Sequence, residues 1–369
     1  MGGQIMNLSS HHNKMISNSY LSAPTVGGAP ILLVTYMWIG DYVRSHTVVK
    51  LLRARWPERP IDFVTSTLCA PLLDYMPGVR KGIVCDLPRR RLPIGRYVEL
   101  ARRLRAEGYG TAIMLLRTWK SALAPFLAGI PQRTGFFGEL RAGLINDLRW
   151  GDHRLERMID CMGALALPKG APPPAEWPSP ELVVPAAERA AWLARRGFAA
   201  EPRPIVAVAP GAVGRGKRWS TRNYAELARR LAGAGVTVWV LGGPNETPLA
   251  RDIVAAGGAR VRDLTGSDLR DAIIALAAVD AAVSNDSGLM HVAAAIGTPT
   301  VALFGPTSPR LAGPLNPLAA VIEPPADQRC PRCGRLPCDE VSHRDVDEIS
   351  PERILDAVKA TLASNGALS

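Results

Sequence analysis

The stretch Asp280 to Gly305, D-A-A-V-S-N-D-S-G-L-M-H-V-A-A-A-I-G-T-P-T-V-A-L-F-G, decides the fold. The apolar run Ala281-Ala282-Val283 breaks into a polar loop, Ser284-Asn285-Asp286-Ser287-Gly288. A helix of small residues follows, from about Leu289 to Ile296, stopped by Gly297 and Pro299. Thr300-Val301-Ala302-Leu303-Phe304 reads as a second buried strand. In an open α/β sheet ligands bind at the carboxyl ends of strands, where this loop falls. The unpaired N–H groups of the helix start suit an anion such as phosphate. The same residues also fit a plainer reading, with Asp286 or Ser287 as the helix cap and His291 as a structural histidine.

The chain has 369 residues, 47% of them hydrophobic, enough for two ordinary domains. Its net charge of +11 favours anionic partners. The basic residues are spread, with only short runs such as Arg89-Arg90-Arg91, so no nucleic-acid arm is expected. Residues 1–29 read as a disordered tail that is not a signal peptide, and no apolar run is long enough to span a membrane. A cytoplasmic location is expected, with Cys69, Cys85 and Cys161 as buried thiols.

Outward from the opening stretch, strand and helix alternate. Ile31–Thr35, Ile61–Val64, Thr111–Leu116, Ile205–Ala209 and Val236–Leu241 are continuous apolar runs, as in strands covered on both faces. Helices are expected at Tyr42–Trp56, Arg96–Glu107 (Val98, Leu100 and Leu104 inward), Lys120–Ala128, Pro185–Arg196, Ser220–Ala232 and Leu269–Ala278. Six prolines between Pro168 and Pro180 mark the approach to a linker. The expected fold is α/β, with two Rossmann-like doubly wound domains facing across a cleft. The tail at 1–29 would precede a first domain at 30–180 and a second at 181–349. A helix within 350–369, with Pro351 at its first turn, would pack back toward the first domain.

Three further loops follow strands. Pro210–Trp219 carries Gly211, Gly214 and Gly216 beside Lys217 and Arg218, so backbone N–H groups and positive charge can meet a phosphate. Glu246, in Leu241–Glu246, suits sugar hydroxyls or is an exposed turn carboxylate. Asp41, at the end of Tyr36–Asp41, is a general base facing the cleft or a cap. Arg117, Lys120, Arg133 and Arg141 suit an anionic acceptor, although each alone also fits surface charge.

Taken in order, these pieces show a resemblance. W-I-G-D (Trp38–Asp41), K-S-A-L (Lys120–Leu123) and G-I-P-Q-R-T-G-F (Gly129–Phe136) resemble the first half of glycosyltransferase family nine, the ADP-heptose:lipopolysaccharide heptosyltransferases. P-G-A…G-K-R-W (Pro210–Trp219), L-G-G-P-N-E (Leu241–Glu246) and S-N-D-S-G-L-M-H (Ser284–His291) resemble the second half. The resemblance spans Ile31 to Leu362 and is strongest to the members that add the second heptose of the inner core. It implies GT-B architecture and an inverting transfer of heptose from ADP-heptose to a lipid A–Kdo–heptose acceptor. It implies Asp41 as base, and Gly211, Lys217, Glu246, Asp286, Ser287, Gly288 and His291 around the donor. It also implies no cofactor, and an enzyme working at the inner face of the inner membrane.

Asp345-Val346-Asp347 is the only D-x-D and reads as solvated charge, so no catalytic metal is expected. Cys330, Cys333, Cys338 and His343 have enough ligands for a structural zinc, and a reduced thiol loop is the competing reading. Other function classes are a relative using a different sugar nucleotide or glycan acceptor, a non-catalytic sugar-nucleotide binder, and a dinucleotide oxidoreductase. The loop Tyr36–Asp41 lacks the glycine fingerprint that the last requires.

Overall fold

The apolar runs become the central strands of two parallel sheets. The computed structural model describes residues 28–35, 37–88, 91–325, 333 and 340–367. The first sheet holds β1 (Ile31–Val34), β2 (Ile61–Thr65), β3 (Lys81–Val84), β4 (Thr111–Met114), β5 (Gln132–Phe136) and β6 (Asp147–Arg149), in the order β3-β2-β1-β4-β5-β6. The second holds β7 (Ile205–Ala209), β8 (Thr237–Val240), β9 (Val261–Asp263), β10 (Ala281–Asn285), β11 (Thr300–Leu303) and β12 (Ala319–Ile322), in the order β12-β11-β10-β7-β8-β9. Read from its other edge this is the same order as the first, so each half is a complete doubly wound sheet. Every residue of β1, β2, β4, β7, β8, β10 and β11 is buried. Strand order reverses between β1 and β4 and between β7 and β10, and ligand crevices open at such points. Val283 on β10 pairs with Val208 on β7 and Val301 on β11, which puts the loops after β7 and β10 side by side.

The helices follow the sequence periodicity, with differences that have physical causes. Tyr224, Leu227 and Leu231 line the buried face of the Thr221–Gly233 helix, and Ser220 caps it, its hydroxyl accepting from Asn223 N at 3.4 Å. The single helix expected from Tyr42 starts earlier and is two, Ile39–Arg44 and His46–Arg55. The break falls at Ser45, whose hydroxyl turns back onto Tyr42 O at 2.5 Å. In the Ile94–Ala106 helix the inward face is Tyr97, Leu100, Ala101 and Leu104, while Val98 is exposed.

The proline-rich segment, 167–185, forms neither helix nor strand and straps the two halves together. Leu182 N donates to Ala295 O of the second half (2.9 Å) and Val183 N to Tyr75 O of the first (2.8 Å). The last helix, Pro351–Ser364, corrects an expectation. It packs on the second half, not the first: its stripe Ile354, Val358 and Leu362 is buried in one cluster with Val206, Val208, Val283, Val301 and Leu303. An apolar stripe goes to the nearest uncovered apolar face, and here that is the second sheet.

Candidate active site

The second half builds its part of the site from the loops after β7 and β10. Asn285, the last residue of β10, is fully buried and ties the two together. Its Nδ2 donates to Pro210 O (2.8 Å) and its Oδ1 accepts from Trp219 N (3.2 Å). With the loops fixed, Lys217 Nζ lies 2.6 Å from Asp286 Oδ2, which also accepts from Thr307 Oγ1 at 2.7 Å. The aspartate is buried and the lysine partly exposed, so the ammonium is held by an anchored carboxylate.

The capping reading of this loop does not hold. Ser287 occupies the N-cap position of the Gly288–Ile296 helix, yet no side chain caps that helix. The Ser287 hydroxyl instead pairs with that of Ser284 (3.1 Å), and Asp286 is held by Lys217 and Thr307. A helix start without a side-chain cap, beside an ammonium, favours an anion.

Glu246 sits beside this platform. Its Oε2 accepts from Gly243 N at 2.9 Å, closing its own turn. Gly211 lies against it: a Cβ there would come within 2.9 Å of the Glu246 carboxyl carbon, so a side chain at 211 would require Glu246 to shift.

The first half supplies Asp41, in the first turn of the Ile39–Arg44 helix. Its Oδ1 accepts from Arg44 Nη1 at 2.7 Å. The other arm of the same guanidinium, Nη2, reaches His291 Nε2 at 2.7 Å in the other half and Ala312 O at 3.5 Å. An arginine only donates, so Nε2 of His291 is the acceptor and the ring proton sits on Nδ1. Burial, with Arg44 and Lys217 nearby, pushes the His291 pKa well below the usual histidine range, and the ring is neutral at pH 7. Burial also lowers the Arg44 pKa, an effect opposed by Asp41 and Asp286. The two halves meet closely here, since a Cβ on Gly40 would fall 2.6 Å from the His291 ring. Gly288 likewise sits against Ile39. Arg44 therefore joins the candidate base to the donor-side helix, and sequence reasoning missed it. Nothing in D-Y-V-R marks it until the fold brings residues 44 and 291 together.

The expected acceptor residues divide. Arg117 is half exposed in the loop after β4, paired with Asp152 at 2.8 Å, and Lys120 is the second residue of the Trp119–Leu127 helix. Arg133 and Arg141 are held by the main chain. Arg133 donates to Leu144 O (2.7 Å) and Ile130 O (2.5 Å). Arg141 is 1% exposed, and its guanidinium donates to Leu116 O (2.6 Å) and Phe136 O. Of the cysteine cluster, Cys330 and Cys338 lie outside the described residues, Cys333 is exposed, and His343 ends a short 3-10 turn. Asp347 of the D-x-D takes the N–H of Ser220 at 2.5 Å, so it serves the start of the Thr221–Gly233 helix.

A family model described as glycosyltransferase family 9 (heptosyltransferase) matches residues 97–338. Lipopolysaccharide heptosyltransferase 2 of Escherichia coli K12 is 38% identical over 351 residues, 91% of this chain and 99% of that protein. Lipooligosaccharide heptosyltransferase 2 of Haemophilus influenzae is 34% identical, over 90% of this chain and 99% of its own length. The solved structure of E. coli ADP-heptose lps heptosyltransferase II superposes with a TM-score of 0.80 at 36% identity, covering 92% of this chain and all of that one.

Proposed function

The chain belongs to glycosyltransferase family 9, and we propose that this enzyme moves heptose from ADP-heptose to the inner core of lipopolysaccharide, as the second heptose added. The observation that carries the reading is the meeting of two dissimilar halves at Arg44: a carboxylate, Asp41, on one side and a lysine-flanked helix start on the other.

In the proposed reaction an acceptor hydroxyl loses its proton to Asp41, and its oxygen attacks the anomeric carbon of the donor. The bond from that carbon to the diphosphate oxygen breaks, ADP leaves with the bonding pair, and the anomeric configuration inverts. The charge that develops on the diphosphate meets Lys217 and the N–H groups at Gly288 and beyond, an arrangement that stabilises the transition state more than the ground state. Glu246 and Gly211 would border the donor nucleotide or sugar, and His291, as a neutral ring, would orient the centre through Arg44 and carry no charge to it. Apposition of the halves excludes water, which would otherwise hydrolyse the donor.

Arg117 and Lys120 remain candidate acceptor contacts on the first half. Among the described residues no helix is long and apolar enough to cross a membrane. A net charge of +11 supports approach to an anionic membrane face from the cytoplasm, where a glycolipid acceptor would be met. Mass spectrometry of the lipopolysaccharide core from a strain lacking the gene tests the reading. A core truncated after its first heptose supports it, and an unaltered core overturns it.

A further inference from the structure

Beside the reaction centre lies a cavity of about 160 Å³ between the two halves. Arg44 and Arg157 line it from the first half, Arg310 from the second, with Pro309 and Leu315 as apolar wall, and no carboxylate is among its lining residues. Arg157 and Arg310 also line a larger neighbouring cavity of about 440 Å³, where Arg154 adds a fourth guanidinium against Glu156 and Asp160. Arg44 is at once part of this wall and hydrogen-bonded to Asp41 at 2.7 Å. A molecule presenting a hydroxyl to Asp41 would thus place its adjoining groups among the arginines.

We propose that Arg44, Arg157 and Arg310 form an anion subsite for the acceptor, taking a carboxylate or phosphate that lies next to the reacting hydroxyl. The proposal rests on the transferase reading above and names how the acceptor is recognised. Planar, forked guanidinium groups suit both anions. The partners of Arg157 and Arg310 leave room for exchange. Arg310 pairs with Glu156 across the two halves, both side chains more than half exposed, and such a pair contributes little. Arg157 holds Asp160 at 2.8 Å with its side chain partly exposed. Arg44 is the deep member, 11% exposed. Because the trio draws on both halves, an anion bound there bridges them at the place where Asp41 meets the donor side. Of the arginines that sequence reasoning offered for the acceptor, Arg133 and Arg141 donate to main-chain carbonyls, and Arg117 pairs with Asp152 in the loop after β4.

The test is initial-rate kinetics of the full chain and of Arg310→Gln, with Arg157→Lys as a milder second variant. Three acceptors are used: a core glycolipid ending in one heptose, the same molecule with its sugar carboxyls reduced, and the same molecule stripped of phosphate. Arg310→Gln is expected to raise the acceptor KM about tenfold, as for loss of one charge-assisted contact, with the ADP-heptose KM unchanged. One of the two altered acceptors should weaken the parent enzyme by a similar factor and the variant no further, and which one it is identifies the anion. An unchanged acceptor KM in both variants overturns the proposal, as does an equal loss on all three acceptors. If the parent enzyme transfers no heptose to any of them, the transferase reading is what fails. Calorimetric titration with a soluble glycoside of the acidic sugar and with a sugar phosphate then reads the subsite directly. Binding lost in Arg310→Gln supports it, and binding that is absent or the same in both proteins overturns it.

Discussion

The two halves share one strand order but use their crevices differently. In the second half the loops after β7 and β10 are bound to each other through Asn285 and through Lys217 with Asp286, so a small anionic ligand meets a platform already in place. In the first half Arg133 and Arg141 turn inward to hold the chain. What faces out near them is half-exposed Arg117 and a stacked pair, Phe137 and Trp150, with centroids 4.4 Å apart and both rings exposed. Leu140 beside them is almost wholly exposed. A fixed platform suits a nucleotide sugar, whereas an open, mixed apolar and basic surface suits a large glycolipid. On the proposed reading the same architecture would hold a donor in one half and receive an acceptor in the other.

That division is broken most sharply at Asp41. Asp41→Asn should lower kcat by about 10²–10⁴-fold, the range for a positioned base, with ADP-heptose affinity kept in calorimetry. Weakened donor binding would place Asp41 in the donor half of the comparison. Lys217→Gln should act on the other side. A loss of about 10²–10³-fold in kcat is expected, as for removal of one donor to developing charge, with a raised ADP-heptose KM and an unaltered acceptor KM. The smallest effect concerns pH. His291 and His46 are both buried, with pKa values pushed below the ordinary range. His291 faces Arg44 and Lys217; His46 accepts from Glu181 N and lies near Lys50 and the Glu181 carboxylate. Each binds a proton more readily unfolded than folded, so their contribution is full above about pH 6.5 and declines as pH falls below it. Thermal melts should give a lower Tm at pH 5.5 than at pH 7.5, and His46→Gln should reduce that difference.

The central strands were legible because burial on both faces writes a continuous apolar run, as in Ile205–Ala209 and Thr300–Leu303. The outer strands were not. β3, β6 and β9 read K-G-I-V, D-L-R and V-R-D, short and partly exposed, with no pattern that separates them from loop. The candidate donor residues were visible because glycine, lysine and aspartate fall where a buried strand ends. Arg44, Arg157 and Arg310 were not, since the fold alone brings them to one cavity, and arginine on a helix or loop reads as surface charge. Arg141 shows the reverse: its charge suggested an anionic acceptor or the surface, and its side chain is instead buried, with Nη1 and Nη2 donating to the carbonyls of Leu116 and Phe136. The final helix was legible as a helix, but its destination depended on which sheet face stood uncovered.

The central claim is tested most directly by incubating the purified enzyme with ADP-heptose and a core glycolipid that ends in one heptose, and reading intact masses of both substrates. The account predicts a glycolipid heavier by one heptose residue with an equal amount of ADP released. Release of ADP with free heptose and an unchanged glycolipid, or no change in either substrate, would contradict it.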